Sequence, residues 1–221
     1  MPQIRINDRI SYIPACEKPI SGDVGIVHGD EFTYVYDTGS IPETLETLQK
    51  LEGKCDIVIS HFHGDHTWWL TSHRRGDEGV APDDTLSLTY ERPGYRNLYV
   101  GSLTQKYIPE GIKIEEPLII NDGVKLEIFP LPNSHCKGSL AMMVDDEYMF
   151  IGDSSYCMMK DGKALYNSQQ LKALIDLLKE KPASRMLISH DKKFVRNKAV
   201  LIRQLESIYE HRTPDSPYIY V

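Results

Sequence analysis

One short segment, His61-Phe62-His63-Gly64-Asp65-His66, constrains this chain more than any other part of its sequence. It follows residues 55–60, a compact apolar run that is typical of a buried β-strand. The segment is therefore expected to form the loop between that strand and a following helix. A transition-metal site needs several neutral imidazole nitrogens that converge on one ion. Three imidazoles and a carboxylate so close together predict such a site.

The spacing within this segment suits two adjacent metal ions. In an extended chain His61 and His63 lie on one face, and a bend at Gly64 turns Asp65 and His66 toward a second position. A simpler interpretation is that Asp65 only caps the following helix and that the histidines are solvated loop residues. The chain has eight histidines in 221 residues, so three of them in one segment favour the metal site.

Composition narrows the classes of function. The length of 221 residues predicts one core and a single domain over residues 1–221. Hydrophobic residues make up 41% and charged residues 26% of the chain, which is ordinary for a globular protein. The net charge of −7 repels a phosphate backbone and disfavours nucleic acid as a partner. No apolar run approaches the ~20 residues of a membrane span, and the first residues lack the apolar region of a signal peptide.

The cysteines indicate a reducing compartment. They are scattered along the chain without the C-x-x-C pairing of a zinc knuckle, at Cys16, Cys55, Cys136 and Cys157. A disulfide framework is therefore not indicated. Together with the expected lack of an export signal, this predicts a cytoplasmic protein that does not bind a membrane.

The order of apolar runs predicts an α/β protein with helices over packed sheets. Further strands are expected at residues 24–28 and 32–37, which form a hairpin, and at residues 98–100, 124–129, 140–144, 148–151 and 186–189. A short helix is expected after Ser40, whose spacing to Glu43 matches a capping box. Two longer amphipathic helices are expected from Asn167 to residue 181 and over residues 197–211.

A long polar segment follows the histidine loop. Residues 71–96 are rich in Arg, Asp, Gly and Pro and are predicted to form a loop that is a candidate lid. Trp68 and Trp69 precede it. Adjacent residues on a helix point about a third of a turn apart, so one indole is expected in the core and the other in the cleft.

The histidine segment, with Asp37-Thr38-Gly39 before it, resembles the signature of the metallo-β-lactamase superfamily of binuclear hydrolases. Later positions match the pattern of that superfamily in order: His135 follows a later strand, Asp153 follows the next hairpin, and His190 follows a further strand. The resemblance covers nearly the whole chain from residue 24 onward. It implies an αββα sandwich of two mixed β-sheets flanked by helices, with metals at one edge of the sheets.

The resemblance also implies a set of metal ligands. One metal would be held by His61, His63 and His135, the other by Asp65, His66 and His190, and Asp153 would bridge the two. Histidine and carboxylate ligands suit zinc, the first choice here, and also iron and manganese. Two cations that share a carboxylate and a water make that water a hydroxide near pH 7 and polarise the bond under attack.

The implied activity is that of a metal-dependent hydrolase. Its bridging hydroxide would attack the carbonyl of an ester, thioester or lactone in a small-molecule substrate, and Asp65 would both bind metal and orient the nucleophile. Two alternatives stay open: a metal-dependent phosphodiesterase or nuclease, and a metal-binding module without turnover. A nuclease needs a basic surface for phosphates, but Arg74-Arg75 is followed by Asp77 and Glu78. The oligomeric state is not indicated.

Tyr156 distinguishes among carbonyl substrates. It stands three residues after Asp153, as in the N-acyl homoserine lactonases, which the chain partly resembles, and its hydroxyl is a candidate donor to the developing oxyanion. A packing role under the loop has equal weight. In the order of its ligands the chain also resembles short glyoxalase II-like proteins, so the native substrate is not identified.

Overall fold

Two large sheets form the centre of the protein, whose computed structural model describes residues 3–71 and 94–221. In these residues the first sheet contains, in spatial order, β1 (Ile4–Arg5), β2 (Ile10–Ile13), β5 (Val24–His28), β6 (Phe32–Tyr36), β7 (Lys54–Val58), β8 (Tyr95–Val100) and β9 (Ile112–Lys113). The second contains β10 (Leu118–Asn121), β11 (Lys125–Leu131), β12 (Ser139–Val144), β13 (Tyr148–Gly152), β16 (Arg185–Ile188) and β17 (Val195–Asn197). Two small sheets pair β3 (Cys16–Glu17) with β4 (Ile20–Ser21), and β15 (Lys163–Asn167) with β14 (Met158–Lys160) and β18 (Tyr218–Tyr220).

Both large sheets are mixed. In the first sheet β5 and β6 form an antiparallel hairpin, whereas β6, β7, β8 and β9 run parallel to one another. In the second sheet β10 to β13 form an antiparallel meander, and β16 lies parallel to β13. Because parallel strands end at the same edge, the loops after β7 and β13 can carry functional residues to one side of the molecule.

Four helices in the described ranges cover the outer faces: α1 (Pro42–Gln49) and α2 (Gly64–Thr71) on the first sheet, α3 (Ser168–Glu180) and α4 (Lys198–Glu210) on the second. Strand side chains alternate between the two faces of a sheet. On β6, Tyr34 packs between the sheets, whereas Val35 packs in the core beneath α1 and α2. On β12, Met142 faces the other sheet and Met143 packs beneath α3 and α4. These layers confirm the predicted αββα sandwich.

The helix caps were predicted with mixed success. The capping box expected at Ser40 is wrong, because α1 begins at Pro42 and the Ser40 hydroxyl donates to the Ile20 carbonyl instead. The helix predicted from Asn167 is present as α3, and Asn167 caps it, since its side chain accepts the Gln170 N–H at 3.0 Å. The strands predicted from residue 24 onward are present with bounds shifted by a few residues. The short strands β1 to β4, β9, β14, β15, β17 and β18 were not predicted.

Only the ends of the candidate lid, predicted over residues 71–96, fall within the described residues. Thr71 is the last residue of α2, and Tyr95 is the first residue of β8, so these ends belong to regular elements rather than to a loop. The remainder of that prediction, residues 72–93, lies outside the described residues. No helix among the residues described is long and apolar enough to cross a membrane.

Hydrogen bonds to main-chain atoms join the two sheets where their strands end. The Tyr36 hydroxyl donates to the Leu140 carbonyl at 2.7 Å, and the Leu140 N–H donates to the Ser60 carbonyl at 2.8 Å. Within the second sheet, the Ser189 N–H donates to the Gly152 carbonyl at 3.2 Å. The loops that follow β7, β13 and β16 therefore lie side by side.

Candidate metal centre

The histidine segment forms the connection between β7 and α2, as predicted. His61 is 1% exposed, and Gly64 is the first residue of α2, so Asp65 and His66 lie in the first helical turn. The His66 N–H donates to the His63 carbonyl at 3.1 Å. The change from extended chain to helix at Gly64 separates the segment into two pairs of side chains that can bind metal.

Three imidazoles form the first cluster of potential ligands. Nε2 of His61 lies 2.9 Å from Nδ1 of His63, and Nε2 of His135 lies 3.2 Å from the same atom. His135 reaches this place from the loop between β11 and β12. Its Nδ1 is 3.2 Å from the Cys157 carbonyl oxygen, which can only accept a hydrogen bond, so this contact leaves Nε2 as the ligand atom.

The second cluster consists of Asp65, His66 and His190. Oδ2 of Asp65 lies 2.9 Å from Nε2 of His190 and 3.4 Å from Nε2 of His66. His190 has a φ of 59°, a left-handed conformation that is uncommon outside glycine. Asp23 holds this turn, because its carboxylate accepts the His190 N–H at 2.9 Å and the Ser189 hydroxyl at 3.4 Å.

Asp153 lies between the two clusters. Its Oδ2 is 3.4 Å from Nε2 of His135, 3.5 Å from Nε2 of His66, and 3.9 Å from Nε2 of both His61 and His190. The structure thus brings together all seven side chains that the sequence singled out as ligands, in groups that include His61 with His63 and His135, and Asp65 with His66 and His190. One carboxylate in contact with four imidazoles is the arrangement that a bridging ligand requires.

Two buried atoms of this site have no hydrogen-bond partner among the described residues: Nε2 of His66 and Oδ1 of Asp153. Buried polar atoms in folded proteins are nearly always satisfied. Both atoms are of the type that binds zinc, iron or manganese. The residues present therefore fit a metal centre with two ions.

At His61 and Asp65 the electrostatic environment favours the protonation states that metal binding needs. Burial, reinforced by the neighbouring imidazoles, lowers the pKa of His61 well below its ordinary value, so this imidazole is neutral. Burial opposes ionisation of Asp65, but the hydrogen bond with His190 and the charges of His66 and His190 outweigh it and lower the pKa of the carboxyl to about 2. Neutral imidazoles and ionised carboxylates are the forms that bind metal.

Asp37 and Ser60 orient the histidines, although the sequence reasoning assigned them no role of their own. The Asp37 carboxylate is fully buried and lies 2.7 Å from Nδ1 of His66 and 2.7 Å from both the N–H and the hydroxyl of Ser60. The Ser60 hydroxyl also lies 2.9 Å from Nδ1 of His61. Burial opposes protonation of His66, yet Asp37 and Asp153 raise its pKa well above the ordinary value. The sequence did contain a signal for Asp37, because this residue begins the Asp-Thr-Gly element that precedes the histidine segment.

Tyr156 lies beside the site in a half-buried position. Its hydroxyl donates to the Ser189 carbonyl at 2.8 Å, and burial raises the pKa of the phenol. In this position the phenol braces the turn that carries His190. To donate to an oxyanion, the Tyr156 hydroxyl would have to break its hydrogen bond with the Ser189 carbonyl. The catalytic role of Tyr156 therefore stays a hypothesis.

The two tryptophans separate as the sequence predicts. Trp69 is 6% exposed and donates from Nε1 to the Thr44 hydroxyl at 3.1 Å, whereas Trp68 lines a cavity next to Asp65. One indole therefore belongs to the core beneath α1, and the other belongs to the surroundings of the candidate metal centre.

Comparisons with known proteins agree with this architecture. No protein-family model matches the chain. The Anti-Pycsar protein Apyc1 of Paenibacillus sp. (strain J14) is 24% identical over 145 residues, which span 59% of this chain and 59% of that protein. A metallo-β-lactamase from Pontibacter korlensis superposes with a TM-score of 0.63 at 17% identity, over 96% of this chain and 99% of that one. The sec-alkylsulfatase Pisa1 from Pseudomonas sp. gives a TM-score of 0.67 at 11% identity, over 94% of this chain and 41% of its own.

Proposed function

Since the chain has the fold of the metallo-β-lactamase superfamily, we propose that it is a metal-dependent hydrolase with a binuclear centre. The observation that carries the proposal is the convergence of five of the eight histidines and two aspartates on one point. These seven side chains come from loops of both sheets and from the first turn of α2. Because these segments lie far apart in the sequence, their convergence favours a metal-binding site over solvated loop residues.

The proposed assignment of the metals follows the geometry. His61, His63 and His135 would hold one ion, Asp65, His66 and His190 the other, and Asp153 would contact both. When bound, two divalent cations lower the pKa of water and polarise the bond under attack. Zinc is the proposed metal, with iron or manganese as alternatives.

The residues of the chain supply orientation and charge. The ionised Asp65 carboxylate, held by His190, is placed to accept a hydrogen bond from a nucleophilic water and to orient it. Asp37 and Ser60 fix the rings of His66 and His61, so that Nε2 of each ring faces the centre. Positioning of this kind is a large part of the rate enhancement of a hydrolase.

The proposed substrate is a small molecule with an ester, thioester or lactone carbonyl. Support comes from the cavity beside Asp65, which Pro19, Ile20 and Trp68 line with apolar surface. An apolar acyl group fits such a wall better than a polar group does. The cytoplasm is the proposed location, on the ground that all four cysteines are free thiols.

Turnover by the metal-loaded protein tests this proposal. A p-nitrophenyl ester, an N-acyl homoserine lactone and an acyl thioester represent carbonyl substrates, and bis-p-nitrophenyl phosphate and a 3′,5′-cyclic nucleotide represent phosphodiesters. We expect hydrolysis of at least one carbonyl substrate, and a loss of roughly 100-fold in turnover per bound metal for Asp65→Asn. The control His211→Asn changes an exposed histidine at the end of α4 and should leave turnover unchanged.

Two results would contradict the proposal. Cleavage of the phosphodiesters alone would replace it with the phosphodiesterase alternative. Inertness toward every substrate after reconstitution with zinc, iron and manganese would favour a metal-binding module without turnover.

A further inference from the structure

Two cavities flank the candidate metal centre and reach it at neighbouring side chains. One, of about 670 Å³, is lined by Tyr156, His190 and the segment that follows His190. The other, of about 410 Å³, is lined by Asp65 together with the β3–β4 hairpin and α2. Because Oδ2 of Asp65 and Nε2 of His190 are only 2.9 Å apart, the two cavities border neighbouring side chains, the larger one His190 and the smaller one Asp65. A molecule bound at the centre can therefore extend into both.

The larger cavity is basic, although the chain as a whole has a net charge of −7. Three cationic side chains line it, those of Lys192, Lys193 and Arg196, against the single carboxylate of Asp191. Asp191 is already engaged, since its Oδ2 accepts Arg196 Nη1 at 2.7 Å and its Oδ1 accepts the Lys193 N–H at 2.8 Å. In the part of the chain that the structure describes, no carboxylate lies within ion-pair distance of either lysine ammonium. Two cations thus remain for an anion in the cavity.

The smaller cavity is apolar. Pro19, Ile20 and Trp68 line it, and the Ile20 side chain is 62% exposed although it borders a polar metal centre. An exposed apolar surface next to a binding site is typical of contact with an apolar ligand group. The two cavities therefore differ in chemistry, and each favours a different end of a bound molecule.

We propose that the substrate is an amphipathic anion, with an apolar acyl group against Ile20 and Trp68 and a carboxylate or phosphate against Lys192 and Lys193. This inference rests on the proposed carbonyl hydrolysis, and a thioester with an anionic thiol part is the form that we would test. Water adds its oxygen to the acyl carbon and the carbon–sulfur bond breaks. The acyl group is released as a carboxylic acid, and the departing thiolate takes the remaining proton of the water to become the free thiol.

Matched thioesters test the basic cavity through release of the free thiol. S-hexanoyl-3-mercaptopropionate carries a carboxylate and S-hexanoyl-N-acetylcysteamine is neutral; S-hexanoyl-4′-phosphopantetheine carries a phosphate and S-hexanoylpantetheine is its neutral match. For at least one pair, we expect kcat/KM of the anionic substrate to be about fivefold to tenfold higher than that of its neutral match. The factor is modest because each exposed ion pair contributes little to the binding free energy. The preference should decrease as salt screens the charges. The pair with the larger ratio identifies carboxylate or phosphate as the anion.

The double variant Lys192→Gln/Lys193→Gln should reduce this ratio to about one. Its control, Lys172→Gln/Lys179→Gln, removes two lysines from exposed ion pairs with Asp176 and Glu206 and causes the same change in net charge. The control should keep the wild-type ratio. This comparison separates a local contact from a general effect of charge.

The apolar cavity is tested by the length of the acyl group. In the wild type we expect S-hexanoyl-3-mercaptopropionate to exceed its S-acetyl analogue at least tenfold in kcat/KM, since each buried methylene contributes about fourfold. Ile20→Ser should reduce that preference severalfold. The control Ile119→Ser changes a similarly exposed isoleucine, 57% exposed, on β10, and should keep the preference.

Binding of a thioether gives a readout that does not depend on turnover. S-hexyl-3-mercaptopropionate and S-hexyl-2-mercaptoethanol differ in charge and contain no scissile bond, so calorimetry should show tighter binding of the anion, which the lysine double variant abolishes. If the thioether pattern holds while no thioester, ester or lactone is cleaved, the inference is supported and the proposed function fails. If thioesters are cleaved with no anionic preference, or the lysine variant keeps the preference, the inference is overturned and the proposed function stands.

Discussion

Replacing Asp37 by asparagine tests how the buried hydrogen bonds orient the histidine ligands. A carboxylate only accepts hydrogen bonds, so the 2.7 Å contact requires Nδ1 of His66 to carry the proton and leaves the lone pair of Nε2 for a metal. Ser60 donates to the same carboxylate from both its N–H and its hydroxyl. Asparagine keeps the size of the side chain and tolerates the φ of 63° at this position. It replaces one accepting oxygen by a donating amide.

Either orientation of the new amide loses a contact. If the NH₂ group faces His66, the imidazole has to accept at Nδ1 and carry its proton on Nε2, which then cannot bind a metal. If the NH₂ group faces the Ser60 N–H, two donors oppose each other. Loss of one such buried hydrogen bond costs about 1–3 kcal/mol of unfolding free energy. A misoriented histidine ligand weakens metal binding by ~10- to 100-fold.

Competition with a chromophoric chelator measures the metal affinity, and urea unfolding measures the stability. The control is Asp56→Asn, since Asp56 is also buried, at 3% exposure, and accepts hydrogen bonds from Asn97 and Tyr99 away from the metal centre. We expect both variants to lose stability and Asp37→Asn alone to lose metal affinity. The reasoning is refuted if Asp37→Asn binds metal within twofold of the wild type, or if Asp56→Asn weakens binding to the same extent.

Three further predictions concern the metal count, the tyrosine and a turn between the sheets. Elemental analysis should find two metal ions per chain, because the six other ligands lie in groups of three on the two sides of Asp153, and a fully loaded protein with one ion would contradict the binuclear assignment. Tyr156→Phe should lower turnover by ~10²- to 10³-fold if the hydroxyl stabilises an oxyanion, whereas unchanged turnover with about 1 kcal/mol less stability would assign it to the bond with Ser189. Asp122→Ala should lower the unfolding free energy by about 1–2 kcal/mol at pH 7, because two backbone N–H groups of the β5–β6 turn donate to this carboxylate. Partial burial opposes ionisation of Asp122, but those donors lower its pKa. The contribution of Asp122 to the unfolding free energy is therefore complete above about pH 4. Urea unfolding at decreasing pH should show that this contribution vanishes as the pH falls through the folded-state pKa.

Local signals made the histidine segment and the central strands predictable. The apolar run at residues 55–60 and the polar cluster after it lie next to each other in sequence, so neither needs information about distant contacts. The hairpin of β5 and β6 and the meander of the second sheet are likewise marked by short turns. The strands β1, β3, β4 and β9 were missed because each has only two residues, too few to show an alternation of apolar and polar residues.

Contacts between distant segments could not be predicted in the same way. Asp23 lies 167 residues before His190 and holds its backbone through a hydrogen bond that no local pattern indicates. Ser40 illustrates the converse. Its local pattern predicts a helix cap, but its hydroxyl donates a hydrogen bond to the distant carbonyl of Ile20 instead. The basic cavity was missed for the same reason, since Lys192 and Lys193 matter only once His190 places them beside the metal centre.

The division of the ligands between the sheets links metal binding to folding. His61, His63, Asp65 and His66 follow the first sheet, whereas His135, Asp153 and His190 are carried by loops of the second. Polar contacts join the two sheets near this point, among them the Tyr36 bond to Leu140 and the Asp23 bonds to Ser189 and His190. A ligand that binds only the folded chain stabilises it by about 2.7 kcal/mol at a hundred times its Kd. A metal that contacted both sets of side chains would therefore stabilise the packing of one sheet on the other as well as the site, and its removal should weaken that packing first where Asp153 meets the histidines.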